Sequence, residues 1–125
     1  MYQFEYQIHQ KRRRDFLAQL NGKAAIIPGS SLVKHHADCE YPFRQDSDFW
    51  YLTGFDEPDS IALFLSHKPK GERFILFVHE KDPISEVWNG FRCGTEGAKE
   101  VYKADQSYPI SKFQEKLSYY LDGAD

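Results

Sequence analysis

Cysteine is scarce in this chain. Cys39 and Cys93 are the two in 125 residues, far apart and without CxxC spacing. In a reducing cytosol both stay thiols and act as packing residues, so a redox motif is not expected. Long apolar runs are also missing. None approaches the roughly 18–20 residues that a membrane span needs. The first residues, MYQFEYQIHQKRRR, have no apolar stretch with a small-residue cleavage site, so they do not read as a secretory signal. Positive charge is not in excess: 16 Lys and Arg face 19 Asp and Glu, giving a net charge of −3 and a pI near 5.9. That balance argues against nucleic acid as a partner, because phosphate binding favours a basic surface. No repeat, low-complexity tract or linker rich in Gly, Ser or Pro divides the chain. A single domain over 1–125, soluble and cytoplasmic, is the expectation.

Catalytic motifs are missing as well. The sequence holds no HExxH, no phosphate-cradling glycine loop and no GxSxG elbow. KHHADCE (34–40) offers metal-ligand residue types in His35, His36, Asp38, Cys39 and Glu40. Adjacent histidines on extended chain point to opposite sides, however, which favours a polar loop over a zinc site. His9, His67 and His79 are isolated. Asp46, Asp48, Asp56, Glu57 and Asp59 could suggest a two-metal centre. If 49–53 is a strand, its length separates the two ends by more than about 10 Å and prevents a shared site. The basic triplet Arg12, Arg13 and Arg14 reads as a mostly solvated helix surface.

Much else is present. EYPFRQDSDFWYLTGFDEPDS (40–60) packs six aromatic rings and six carboxylates into 21 residues. FWYLT (49–53), IALFL (61–65) and RFILFV (73–78) are apolar at successive positions, which predicts strands covered on both faces. The short connections GFDEPDS and HKPKGE favour an antiparallel meander, since a parallel crossover needs a dozen residues or more. AAIIP (24–28) reads as a further strand and SYPIS (107–111) as a brief one. Helices are predicted from about Glu5 to Leu20, from Asp82-Pro83 with Ile84, Val87 and Trp88 inward, and from Thr95 with Ala98, Val101 and Tyr102 inward. A last helix carries Phe113, Leu117, Tyr120 and Leu121, with Ser111 and Gln114 as a capping box. A mixed sheet containing an antiparallel meander, with helices on both faces, is a three-layer α/β sandwich. A chain that stops just after a helix in such a pattern suggests a cut before a further strand.

The stretch YPFRQDSDFWYLTGFDEPDSIALFL resembles the signature of the N-terminal domain of Xaa-Pro aminopeptidases, the aminopeptidase P group of the creatinase and prolidase clan. RRRDFLAQL (12–20) before it and EVWNGFRCGTEGA (86–98) after it support the likeness, which spans about residues 8–122. The resemblance implies a creatinase-type, ribonuclease H-like N-terminal domain joined to a catalytic C-terminal domain that this chain lacks. There two Asp, one His and two Glu hold a pair of divalent ions, usually manganese, and cleave the bond before proline in Xaa-Pro peptides. It implies no catalytic residue, metal ligand or cofactor in this chain, which would be inactive alone. It also implies homo-oligomer contacts and three residues near the substrate cleft or subunit boundary: Asp38, Arg44 and Trp88. Arg44 suits a carboxylate, either Asp48 as a structural partner or one in the absent domain. Trp88 either packs inward or, on a loop as in the family, reaches a neighbouring subunit's cleft. Two alternatives stay open: a non-catalytic creatinase-like protein-binding module, and the N-terminal domain of an Xaa-Pro dipeptidase.

Overall fold

A computed structural model describes residues 6–30, 45–69, 71–82 and 92–124. Helix α1 spans Tyr6–Leu20 and ends at Asn21 and Gly22, both in the left-handed region. Strand β1 (Ala24–Pro28) follows, then helix α2 (Ser47–Thr53) and strands β2 (Ile61–Leu65) and β3 (Phe74–Val78). Helix α3 (Gly94–Glu100), strand β4 (Gln106–Pro109), a 3-10 turn (Ile110–Lys112) and helix α4 (Phe113–Leu121) complete the order.

The sheet runs β1-β2-β3-β4. β1 pairs antiparallel with β2 from Ala24↔Leu65 to Pro28↔Ile61, and β2 pairs antiparallel with β3 from Ile61↔Phe77 to Phe64↔Phe74. β4 joins β3 in parallel, Ile75↔Gln106 to Val78↔Pro109, at the end of a long crossover that includes α3. Side-chain alternation divides β2 and β3 between two cores. Ala62, Phe64, Phe74, Leu76 and Val78 meet α1, α2 and α3 on one face; Leu63, Leu65, Ile75 and Phe77 meet α4 on the other. The α/β three-layer expectation holds, with a mixed sheet and helices on both faces.

The meander is built differently from the sequence reading. Residues 49–53 are helix, not strand, and β1 takes the third place beside β2 and β3. The helix is fixed at both ends. Asp46 accepts the Phe49 N–H at 3.0 Å, and Gly54, at φ 70°, donates its N–H to the Trp50 carbonyl at 2.8 Å. Phe49 and Leu52, three apart, are buried, while Trp50 and Tyr51 are exposed. In a strand covered on both faces all four would be buried.

Basic residues of α1 complete the end of α2. The last carbonyls of a helix lack intrahelical donors. His9 Nδ1 and Arg12 Nη1 donate to the Tyr51 carbonyl at 3.0 and 3.3 Å, and Arg13 Nη1 donates to the Leu52 carbonyl at 2.9 Å. The charge of the two arginines also suits the negative end of the helix dipole. Arg13 is 5% exposed, with its guanidinium 4.2 Å from the centre of the Phe74 ring, so the arginine triplet is only partly solvated. Smaller corrections concern the later helices. Val101 is exposed. Lys112, with no side-chain capping bond, precedes α4, so Ser111 and Gln114 form no capping box. The helix predicted from Pro83 lies outside the described residues.

Candidate functional site

At one end of the sheet β1, β3 and β4 terminate and β2 begins. In open α/β sheets, ligands bind beyond such strand ends. Ser30 and Gln45, which flank the connection 31–44, lie here, as do Asp82 and Arg92, which flank 83–91. The sequence candidates Asp38, Arg44 and Trp88 fall on these two connections, outside the described residues. So does the cluster KHHADCE.

Hydrogen bonds tie the flanks together. Ser60 and Ser30 carbonyls accept the N–H groups of Gly29 and Asp59 at 2.8 and 3.0 Å. Gln45, buried, spans the gap with its amide. Its Oε1 accepts from Ser30 N–H at 2.8 Å and Asp46 N–H at 3.1 Å. Its Nε2 donates to the carbonyls of Phe55 at 3.0 Å and Glu57 at 2.9 Å. His79 Nε2 meets Asp59 Oδ2 at 3.1 Å, joining the exit of β3 to the entrance of β2. Lys81 Nζ donates to the Arg92 carbonyl at 3.0 Å, and Arg92 Nη1 to the Glu80 carbonyl at 3.3 Å. Two shallow clefts of about 270 and 230 Å³ meet at Glu80 and Pro109. A third groove, about 320 Å³, lies between α1 and α2 over Phe16, Ile27 and Leu52, with Arg12 and Asp48 at its rim.

Among the described residues, this end of the sheet is lined by polar groups and holds no reactive pair. Cys93 is a free thiol whose pKa is pushed up to about 12, chiefly by burial and then by the Glu57 carboxylate. A thiol held that high supplies almost no thiolate at neutral pH and is no nucleophile. Burial lowers the His9 pKa and raises that of Asp56. No group of three His, Cys, Asp or Glu among the described residues is placed to hold a metal ion. The described residues therefore do not fit the divalent pair that the family resemblance implies.

Three of the five carboxylates weighed as metal ligands have separate tasks instead. Asp46 caps α2, Glu57 Oε2 accepts the Cys93 N–H at 2.9 Å, and Asp59 holds His79. Because 49–53 is helical, rising about 1.5 Å per residue, its length does not by itself keep the two groups of carboxylates apart. The sequence reading assigns Gln45 no role and weighs Glu57 only as a metal ligand. The one available signal was an uncharged amide directly before a helix-capping Asp46.

Residues 9–125 match the family described as aminopeptidase P, N-terminal domain. The chain belongs to that family. The chain is 42% identical over 105 residues to the Xaa-Pro aminopeptidase of Haemophilus influenzae, covering 83% of this chain and 24% of that protein. It is 35% identical over 126 residues to the Xaa-Pro aminopeptidase of Escherichia coli, covering 100% of this chain and 29% of that protein. The aminopeptidase PepP structure from Pseudomonas aeruginosa superposes with a TM-score of 0.90 at 34% identity, over 100% of this chain and 28% of that one. This aminopeptidase P N-terminal domain thus spans under a third of the length of these relatives. No helix among its described residues is long and apolar enough to cross a membrane.

Proposed function

We propose that this aminopeptidase P N-terminal domain is the accessory part of a metal-dependent Xaa-Pro aminopeptidase, which removes the residue preceding proline from the start of a peptide. The domain shapes the substrate cleft and makes contacts within a homo-oligomer in the cytoplasm. It performs no hydrolysis by itself. The family match over residues 9–125 carries this reading. Two divalent ions, manganese by the family resemblance, would activate water from ligands elsewhere in the assembled enzyme. The residues of this chain would bind and orient. Arg44 suits a carboxylate through its planar fork. Trp88 would give an apolar wall to the peptide, and Asp38 would set a charge beside it. Rings at such boundaries supply a large share of binding energy.

A chimera tests this. The matching segment of the Haemophilus influenzae enzyme is exchanged for this chain and assayed on an Xaa-Pro peptide. The chimera is expected to cleave it, and Trp88→Ala within it to lower kcat/KM about 30-fold, on the order of 2 kcal/mol. Trp50→Ala, on the exposed face of α2, is expected to change kcat/KM by less than about twofold. Equal effects of the two substitutions would remove Trp88 from the cleft.

A further inference from the structure

The bonds through Gln45 and Glu57 join the roots of two connections that are distant in sequence. Gln45 uses its whole amide: two donors and two acceptor sites meet four backbone groups. Glutamate in its place would turn both donors into acceptors facing carbonyls, and methionine would leave all four groups unpaired. Gly29 keeps the space for it, since a β-carbon there would stand 2.9 Å from Gln45 Oε1 and 3.2 Å from the Ser60 carbonyl. One of the four partners is the Glu57 carbonyl, at 2.9 Å, and the Glu57 side chain then reaches the Cys93 N–H, also at 2.9 Å. Cys93 directly precedes α3 and packs into its first turn, where a β-carbon on Gly97 would lie 2.6 Å from the Cys93 β-carbon. Ser30, Gln45, Glu57 and Cys93 therefore form one chain of contacts from the root of 31–44 to the root of 83–91.

Glu57 is an unusual choice if stability were its only task. Its Oε1 is buried with no hydrogen-bond partner among the described residues. Burying a carboxylate oxygen without a protein donor lowers stability. The compensating gain is a long, charged acceptor that fixes one particular backbone N–H. We propose that Gln45 and Glu57 are positioning residues that hold the roots of the two connections in one fixed relation, so that disturbing either residue loosens both. This rests on the function proposed above only for its catalytic consequence, a loss of kcat/KM that depends on Trp88.

Amide exchange of the 125-residue chain, followed by NMR, tests the coupling without reference to catalysis. Gln45→Met is expected to speed exchange of the Cys93 amide about tenfold, although Gln45 makes no bond to it. Glu57→Ala is expected to speed exchange of the Ser30 amide by a similar factor. Glu57→Gln keeps an acceptor for Cys93 N–H and is expected to return both amides to within about twofold of the parent. Variants that each loosen only their own root would overturn the proposal. If Gln45→Met does not fold, the Ser30 amide in Glu57→Ala decides alone.

The chimera supplies a readout that a merely structural role would not move. Glu57→Ala is expected to lower kcat/KM about tenfold when Trp88 is present and less than about twofold when Trp88 is already alanine. Losses that simply multiply would overturn the positioning role. An inert Trp88→Ala would instead defeat the cleft reading, and the exchange result would still decide whether the roots are coupled.

Discussion

Replacing Arg13 by alanine is expected to lower folding stability by about 3–4 kcal/mol, read as a shift in urea midpoint at unchanged slope. Three losses combine. The Leu52 carbonyl loses its donor at 2.9 Å and the Tyr102 carbonyl its donor at 3.3 Å. The Phe74 ring loses the guanidinium stacked 4.2 Å above it. Burial lowers the Arg13 pKa to about 10, opposed by the Asp105 carboxylate. The group therefore stays charged at neutral pH, and its removal takes the donor from the buried Leu52 carbonyl instead of relieving a charge. Arg13→Lys keeps the charge but cannot span both carbonyls, so about half the loss is expected. Arg14, exposed on the same helix, is the control, and Arg14→Ala should fall within about 0.5 kcal/mol of the parent. Equal effects at 13 and 14 would mean that the triplet is a solvated surface after all.

The second large effect separates four adjacent residues. Phe49→Ala is expected to cost about 3–5 kcal/mol, because Phe49 is fully buried against Phe55 and the core beneath α2. Trp50→Ala and Tyr51→Ala should each cost about 1 kcal/mol or less. Trp50 is 39% exposed and touches His9 edge-on, and Tyr51 is 52% exposed beneath Arg12. Leu52→Ala returns to a loss of about 2–4 kcal/mol, since Leu52 is buried. High, low, low, high is a helical pattern. Four large losses in a row would restore the strand.

That misreading shows where local signals conflict. Phe, Trp, Tyr and Thr favour strands, and a seven-residue segment holds too few apolar positions to display a 3.6-residue period. The deciding residues were the brackets, Asp46 before the run and Gly54 after it, which mark a helix start and stop. β2 and β3 were legible because every position but Ile61 is buried and the turn between them is short. α1 was legible as a helix, but the burial of Arg13 was not. Nothing in RRR says that a neighbouring helix ends against its middle member. The same holds for Gln45. Its partners at Ser30, Phe55 and Glu57 lie 10 to 15 residues away in sequence. Which backbone groups are left over at a sheet end emerges only after the sheet is built. The family, by contrast, was legible directly from the run between Tyr41 and Leu65.

Under the proposed function, this domain supports a cleft without supplying its reactive groups. The direct measurement is release of the N-terminal residue from an Xaa-Pro peptide by the purified 125-residue chain in saturating manganese, beside a metal-only control. No release above the control is expected. Turnover by this chain, in protein shown free of host peptidase, would contradict it.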